Sequence, residues 1–362
     1  MTKRVDWLIF IPAVLISLLG LVTMNSFSSE EVFFHKQIIW LTISVFLFFV
    51  ANYFDWRFLY KTRVLVTIYL VCVAFLILLF SLGFVVHGAQ SWFSFGGFAM
   101  QPSDPAKIAT ILILAKYFSR RHIEIADVRH VITSGVYAFI VAALVFLQPD
   151  FGSAVVIFGI WFGMVMLSGI SKKHMLFVVG IVAVLGFIMW SFVFEPYQKA
   201  RIVTFLSPLS DVQGAGYNAY QSTIAVGSGN ILGKGIGLGS QSKLLFLPEY
   251  QTDFIFAAFA EEWGFVGSFI LLALVLFLLI RIVENSKKFN NNFETLFGLG
   301  VVVLFSIHIL IHTGMNMGLL PVTGIVFPLM SYGGSHLVTE FFTLGVISSM
   351  SRRSVVKSID RA

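Results

Sequence analysis

Ten apolar segments, most of them near the roughly 20 residues that a helix needs to cross a hydrocarbon core of about 30 Å, fill this 362-residue chain from end to end. Their approximate limits are 7–24, 36–54, 63–86, 104–118, 131–147, 152–169, 174–194, 254–282, 295–318 and 328–350. Charged residues supply only 12% of the chain, about half the usual globular share, and mean hydropathy is +0.91. That balance excludes a soluble domain. It predicts an all-α polytopic integral membrane protein of about ten transmembrane helices, a single transmembrane domain over 1–362. Lys3 and Arg4 precede the run Trp7–Met24, which is longer than a signal-peptide core and lacks a small-residue cleavage site, so it reads as the first span. Cys72 is the single cysteine, so no intrachain disulfide can form.

The basic residues orient the bundle. With the N-terminus in the cytoplasm, eighteen of the 24 Lys and Arg residues fall in cytoplasmic segments, Lys107 falls within a span, and only Lys36, Lys199, Arg201, Lys234 and Lys243 fall outside. This bias follows the positive-inside rule and puts both termini in the cytoplasm. The net charge of +6 is thus a topology signal rather than a nucleic-acid signal. One extracytoplasmic loop, about 195–252, is long and rich in Gly and Pro (Pro196, Pro208, Pro248), and loops of that length are usually functional or disordered. A second outer segment, His87–Gln101, is aromatic. The chemistry is therefore expected on the outer face.

Charged residues beside or inside apolar segments are the candidates, because Asp at a helix centre costs about 2.5 to 3.5 kcal/mol on insertion scales. Asp253 stands at the mouth of the helix predicted from residue 254 and reads either as a helix cap or as a general base. Glu261 and Glu262 lie two turns deeper, where one of them must be nearly buried in a structural pair. Asp104 and Lys107 are spaced to form an intrahelical ion pair; alternatively Lys107 faces a polar cavity and meets an anionic substrate. Asp150, in LQPDFGSA, reads as a cap. Lys199 and Arg201 are either solvated charges or pyrophosphate partners. The glycine run 227–240 (GSGNILGKGIGLGS) fails the phosphate-loop pattern at Ser228 and Gly235, so it reads as a flexible re-entrant or lipid-contacting loop whose N–H groups can still hold a phosphate. His308 and His312 lack the glutamate of a zinc motif and read as interhelical hydrogen-bonding groups.

Four stretches carry a resemblance: QPSDPAKIA, LQPDFGSA, the run GYNAYQSTIAVGSGNILGKGIGLGSQSKLLFLPEYQTDFIFAAFAEEWGFVG, and GLLPVTGIVFPLMSYGGS followed by SRR. In this order, over essentially the whole chain, they resemble the SEDS family (shape, elongation, division and sporulation). PVTG before PLMSYGGS is more similar to the RodA-type, elongation branch than to the FtsW-type, division branch. The resemblance implies a peptidoglycan glycosyltransferase of the bacterial cytoplasmic membrane that polymerises lipid II at the outer face beside a class B penicillin-binding protein. It implies that Asp253, in TDFIF, is the essential aspartate. The substrate-contacting candidates are Lys107, Asp104, Arg201, Lys234, Asp150, Trp92, Ser331, Gly333, Gly334 and Ser335. The chain departs from the family pattern at Asp104 (usually Glu), at Gln251 (commonly His) and at Ser91 (usually basic). The Asn expected just before Gly-Met in the ninth span falls at Thr313 or His312.

The expected reaction needs a base to take the proton of a sugar hydroxyl, worth about 10² to 10⁴-fold, and cations at a departing diphosphate. Lys107, Arg201 and Lys234 are the cation candidates. The cofactor is open, a divalent Mg or Mn ion being the one considered, with no protein metal site assigned. Single displacement would turn an α-linked donor into a β-linked polymer. Two other classes stand beside this reading: a flippase or transporter for a lipid-linked precursor, using Asp104, Lys107, Glu261 and Glu262 in a translocation path, and a non-catalytic scaffold for the transpeptidase.

Overall fold

The computed structural model describes residues 5–26, 31–86, 89–95, 98–120, 128–169, 172–207, 216–244 and 246–359. A helix stands at each of the ten predicted spans: α1 (Trp7–Ser26), α2 (Glu31–Tyr53), α3 (Thr62–Leu82), α4 (Ser103–Ser119), α5 (Val128–Leu147), α6 (Phe151–Leu167), α7 (Lys172–Ile188), α11 (Ile255–Lys287), α12 (Asn292–Asn316) and α13 (Gly334–Ile359). A π-helical turn, Met189–Val193, continues α7. Among the described residues, seven helices are long and apolar enough to cross a membrane: α1, α2, α3, α5, α7 with its extension, α11 and α12. Helices suit this setting because a backbone in hydrocarbon must pair its own N–H and C=O groups.

The bundle has a short central helix. α4 packs against α3, α5, α6, α12 and α13, and its Ala106, Ala109, Ile111, Leu114 and Ala115 are buried. At 17 residues it is about 26 Å long. By contrast, Leu176, Phe187 and Phe192 of the α7 segment are exposed, as on a lipid-facing surface. At one end of the bundle Arg281 and Asn285 of α11 donate to Asp6 (3.0 and 2.7 Å), Tyr60 donates to Glu294 (2.6 Å) and Lys116 donates to the Tyr60 carbonyl (2.6 Å). Arg57 lies beside it, so this is the end the positive-inside rule assigns to the cytoplasm. Gln101, Asp150, Asp253 and Ser331 lie at the opposite ends of their helices.

Three local details refine the predicted all-α layout. The chain is not wholly helical: α3 stops at Gly83, and residues assigned to the third span and the aromatic segment form an antiparallel sheet, β1 (Phe84–Val86), β2 (Ala89–Phe95) and β3 (Phe98–Met100). Alternating aromatic and small residues in AQSWFSF suit a strand. The last helix begins at Gly334 rather than 328, because residues 327–333 form an irregular segment with Leu329 at φ +64°. The stretch 195–252 carries three helices, α8 (Pro196–Leu206), α9 (Tyr217–Ser228) and α10 (Ser240–Lys243). α8 starts with Pro at its first turn and a reciprocal Glu195/Gln198 capping box.

The glycine run is folded rather than flexible. α11 breaks at Gly264 (φ +65°, ψ −164°), and the run replaces the missing helical partners. Phe265 N–H donates to the Asn230 carbonyl (2.9 Å) and Val266 N–H to that of Ile231 (3.0 Å). Lys234 and Gly235 N–H groups donate to the carbonyls of Glu261 and Glu262 (both 3.0 Å). Backbone approach this close excludes a side chain: a Cβ on Gly264 would lie 2.2 Å from Gly233 N. Gly264→Ala should therefore destabilise by about 1–3 kcal/mol or more, read as a lowered Tm of the detergent-solubilised protein. Gly227→Ala, whose Cβ meets nothing within 4 Å, should leave Tm unchanged or slightly raised.

Candidate active site

Asp253 sits in a turn just before α11, and its main chain is fixed from two sides. Asn316, at the end of α12, donates its amide to the Asp253 carbonyl (3.0 Å) and to that of His312 (2.8 Å), while its side-chain oxygen accepts from Ala257 N–H (3.0 Å). From the segment before α13, Ser331 Oγ donates to the Thr252 carbonyl (2.8 Å) and Tyr332 N–H to that of Gln251 (2.8 Å). Phe254 occupies the N-cap position without a side-chain cap bond. Asp253 is a partly exposed residue, whereas Phe254 through Glu262 are buried.

The carboxylate faces the backbone of Gly324 (φ +74°), where an added Cβ would stand 3.5 Å from Asp253 Oδ2. His312 Nδ1 donates to the neighbouring Ile325 carbonyl (2.7 Å), so the last turns of α12 hold both sides of this contact. The residues just before Gly324, Pro321, Val322 and Thr323, line a cleft together with Phe151 and Phe194 and with Gln198, Arg201 and Ile202 of α8. Arg201 is exposed. Asp150 caps α6 by accepting from Ser153 N–H (2.9 Å) and also accepts from the Gln101 amide (2.9 Å). Gly152 lies so close to the Thr323 carbonyl that a Cβ would stand 2.6 Å from it. Aspartate, cleft and capped helix are thus joined through the loop 321–325.

Behind this surface lies a buried polar cluster. Lys107 Nζ is 3.2 Å from Asp104 Oδ1, with Asp104 4% and Lys107 5% exposed. Ser335 Oγ donates to Asp104 Oδ2 (2.9 Å) and accepts from Gln101 N–H (3.3 Å). His336 lies 3.4 Å from Asp104 Oδ1 and 2.9 Å from Glu340 Oε1. Glu340 Oε2 accepts from Leu329 N–H (2.7 Å), and Ser331 Oγ accepts from Phe327 N–H (2.8 Å). The cluster is therefore continuous with the segment that grips residues 251 and 252.

The predicted residues divide by place. Asp253, Asp150, Arg201, Ser331, Ser335 and Asp104 gather around one end of the bundle. Lys107 faces Asp104 in the interior, so contact with a substrate would require that pair to open. Lys234 pairs with Glu261 (2.7 Å), eight residues into α11 from Asp253, or about 12 Å along the helix. Glu261 and Glu262 are both buried, not one of them, and Glu262 Oε1 accepts from Gly237 N–H (2.6 Å). Trp92 of β2 is half-buried, and the preceding Ser91 donates to the Gln148 carbonyl (3.2 Å), tying the sheet to the turn before Asp150. Gly333 N–H points to Gln37 Oε1 at 3.4 Å. Gly334 makes room for the Trp40 ring, where a Cβ would lie 2.0 Å away. His308 stacks on His336 (5.2 Å between ring centroids) and makes no hydrogen bond to another helix.

Asn316, His336, Glu340 and Gly324 are the site residues that sequence reasoning missed. An asparagine does stand beside Gly314-Met315, on its C-terminal side. Polar residues inside apolar helices were the available signal, since each must find a partner there. Asn316→Ala should cost about 1–3 kcal/mol for each of the two groups left unpaired, the Asp253 carbonyl and Ala257 N–H, measured by denaturant or thermal unfolding. Asn316→Asp should be worse than its size suggests, because it sets a carboxylate oxygen against the Asp253 carbonyl.

Residues 3–355 match the model of a family of cell cycle proteins, FtsW/RodA/SpoVE. The chain is 36% identical over 294 residues to the peptidoglycan glycosyltransferase MrdB of Escherichia coli K12, covering 81% of this chain and 79% of that one. It is 33% identical over 362 residues to the stage V sporulation protein E of Bacillus subtilis, covering 96% and 97%. Among solved structures it is similar to a chain described under "Structural coordination of polymerization and crosslinking by a peptidoglycan synthase complex", with TM-score 0.83, 28% identity and coverage of 97% and 98%. The crystal structure of the Thermus thermophilus rod shape determining protein RodA gives TM-score 0.72, 27% identity and coverage of 96% and 97%. Matched by the family model over nearly its whole length and 36% identical to one relative over 81% of the chain, the protein belongs to the FtsW/RodA/SpoVE family, the SEDS proteins.

Proposed function

We propose that this chain is a peptidoglycan glycosyltransferase of the bacterial cytoplasmic membrane, polymerising lipid II at the outer face during cell elongation, with Asp253 as general base. One observation carries the assignment of the base. Asp253 is a partly exposed acidic residue whose main chain and neighbours are held by hydrogen bonds, and it stands at the end of the bundle opposite the basic residues. The similarity to MrdB and to RodA supports the elongation role.

The chemistry follows from the side chains. A sugar hydroxyl is a weak nucleophile near neutral pH, and a carboxylate in hydrogen-bond reach removes its proton as it attacks. The donor loses a lipid diphosphate, so negative charge grows on phosphate oxygens, and a preorganised cation stabilises it. Arg201, exposed in the wall of the cleft beside loop 321–325, is the cation best placed for this. Lys107 pairs with Asp104 in the interior and Lys234 with Glu261 farther along α11, both away from the cleft wall. Among the described residues no group of three or more His, Cys, Asp or Glu side chains is placed to hold a metal ion. Of this chain's own side chains, Asp253 takes the proton and Arg201 meets the charge on the leaving group. Attack opposite the leaving group converts an α-linked donor to a β-linked product without a covalent enzyme intermediate.

The polymer must then be crosslinked, which makes a class B penicillin-binding protein the proposed partner. The similarity to a chain from a structure concerned with polymerization and crosslinking in one synthase complex supports it. The flippase reading needs polar groups free to line a path at mid-membrane. Asp104, Lys107 and Glu261 are instead engaged in buried pairs, and the buried Glu262 accepts from Gly237 N–H.

Purified protein supplied with lipid II, alone and with its penicillin-binding partner, should yield glycan polymer. Asp253→Asn should lower the yield by about 10² to 10⁴-fold with an unchanged unfolding midpoint. Wild-type yield from Asp253→Asn would remove the aspartate from the mechanism.

A further inference from the structure

His336 lies between two carboxylates. Its Nδ1 is 3.4 Å from Asp104 Oδ1 and its Nε2 is 2.9 Å from Glu340 Oε1. An ionised carboxylate only accepts hydrogen bonds. The Nδ1 contact has hydrogen-bond geometry, while Nε2 stands at ion-pair distance from Glu340 without a hydrogen bond, so a neutral imidazole satisfies at most one carboxylate whereas an imidazolium attracts both. The charges give the same answer. Asp104 and Glu340 bring two negative charges to the interior, and Lys107 brings one positive charge. A cationic His336 makes the cluster neutral. The remaining titratable ring in contact is His308 of α12, stacked almost parallel on His336. A second cation stacked on the first would repel it, so His308 is neutral.

Glu340 has a second task. Its other oxygen accepts from Leu329 N–H and holds that residue at φ +64°, a conformation that side-chain-bearing residues rarely adopt. The turn so fixed presents Ser331 Oγ to the Thr252 carbonyl and Tyr332 N–H to the Gln251 carbonyl. The path from His336 to the turn before α11 is therefore short: imidazolium, Glu340, the Leu329 turn, then residues 251 and 252.

We propose that His336 is a positioning residue, whose positive charge neutralises the α4–α13 cluster, keeps Glu340 ionised on the Leu329 turn, and thereby fixes the placement of Asp253. This rests on the reading of Asp253 as the general base.

The test is a charge-balance cycle in the full-length chain with its penicillin-binding partner, scored by lipid II polymerisation. His336→Leu leaves one uncompensated negative charge, and Glu340→Gln leaves one uncompensated positive charge. The double variant is neutral again, and its glutamine oxygen still accepts from Leu329 N–H. Each single variant should lose about tenfold to a hundredfold in kcat, with KM for lipid II little changed, as expected for a displaced catalytic group. The double variant should recover most of that loss. If His336→Leu does not fold, recovery of folded protein in the double variant supports the charge count, and equal failure of both overturns it. Losses that simply multiply in the double variant, or a raised KM with unchanged kcat, overturn the proposal. Nitrogen NMR of the wild-type imidazole should show both ring nitrogens protonated; one bare nitrogen overturns it. Asp253→Asn is measured beside these variants. An active Asp253→Asn protein overturns the base assignment and this proposal with it. An inactive one, with multiplying losses at His336 and Glu340, overturns this proposal alone.

Discussion

A carboxylate inside a bundle surrounded by lipid must be neutralised where it stands, and this constraint shapes the site. Asp104 and Glu340 come from α4 and α13, the central helix and the last one. Lys107 and His336 answer them within a few ångströms. Removing one partner of such a cluster leaves a bare charge, typically at a cost of about 3–5 kcal/mol, so the groups hold one another in place. The arrangement fixes the relative position of two helices, and Glu340 passes that position to the segment 327–332 through one backbone N–H.

The same economy governs the aspartate. Its main chain is held by Asn316 and its neighbours by Ser331 and Tyr332, while the residue remains partly exposed. The proposed role of general base needs that division: fixed in place, yet reachable by a hydroxyl to be deprotonated. α12 contributes twice within two turns, through His312 to the Ile325 carbonyl and through Asn316 to the Asp253 carbonyl. Deeper in the bundle the break at Gly264 admits the glycine run against α11, and the Lys234–Glu261 pair closes that contact. Both devices place irregular backbone against protein partners, where its polar groups are satisfied.

The sequence revealed the helices well because hydropathy is a property of the segment itself. It revealed Asp253 as a candidate because a carboxylate beside an apolar run is conspicuous, and Asp150 as a cap because a carboxylate beside a proline at a helix entrance has a local use. It did not show what the glycine run packs against, since its hydrogen-bond partners lie on a helix that follows more than twenty residues later. It stopped short at α13, passing over His336 and Glu340, because their partners, Asp104 and Leu329, lie on other elements. The sheet of β1, β2 and β3 was missed for a different reason: its strands, of three, seven and three residues, are too short for alternation to stand out beside an apolar span.

By itself, then, the sequence determined that the chain is a polytopic helical membrane protein, that its basic residues gather at one end of the bundle, and that an aspartate stands at the far end of a span. Those properties depend on composition and on order along the chain. Only the tertiary structure decided which polar groups share an environment. Asp253 meets the Gly324 backbone, Lys234 faces Glu261 instead of the cleft, and His336 bridges two carboxylates on different helices. The physical reason is that a buried charge takes its meaning from its nearest counter-charge, and that distance is set by how helices pack rather than by their separation in sequence.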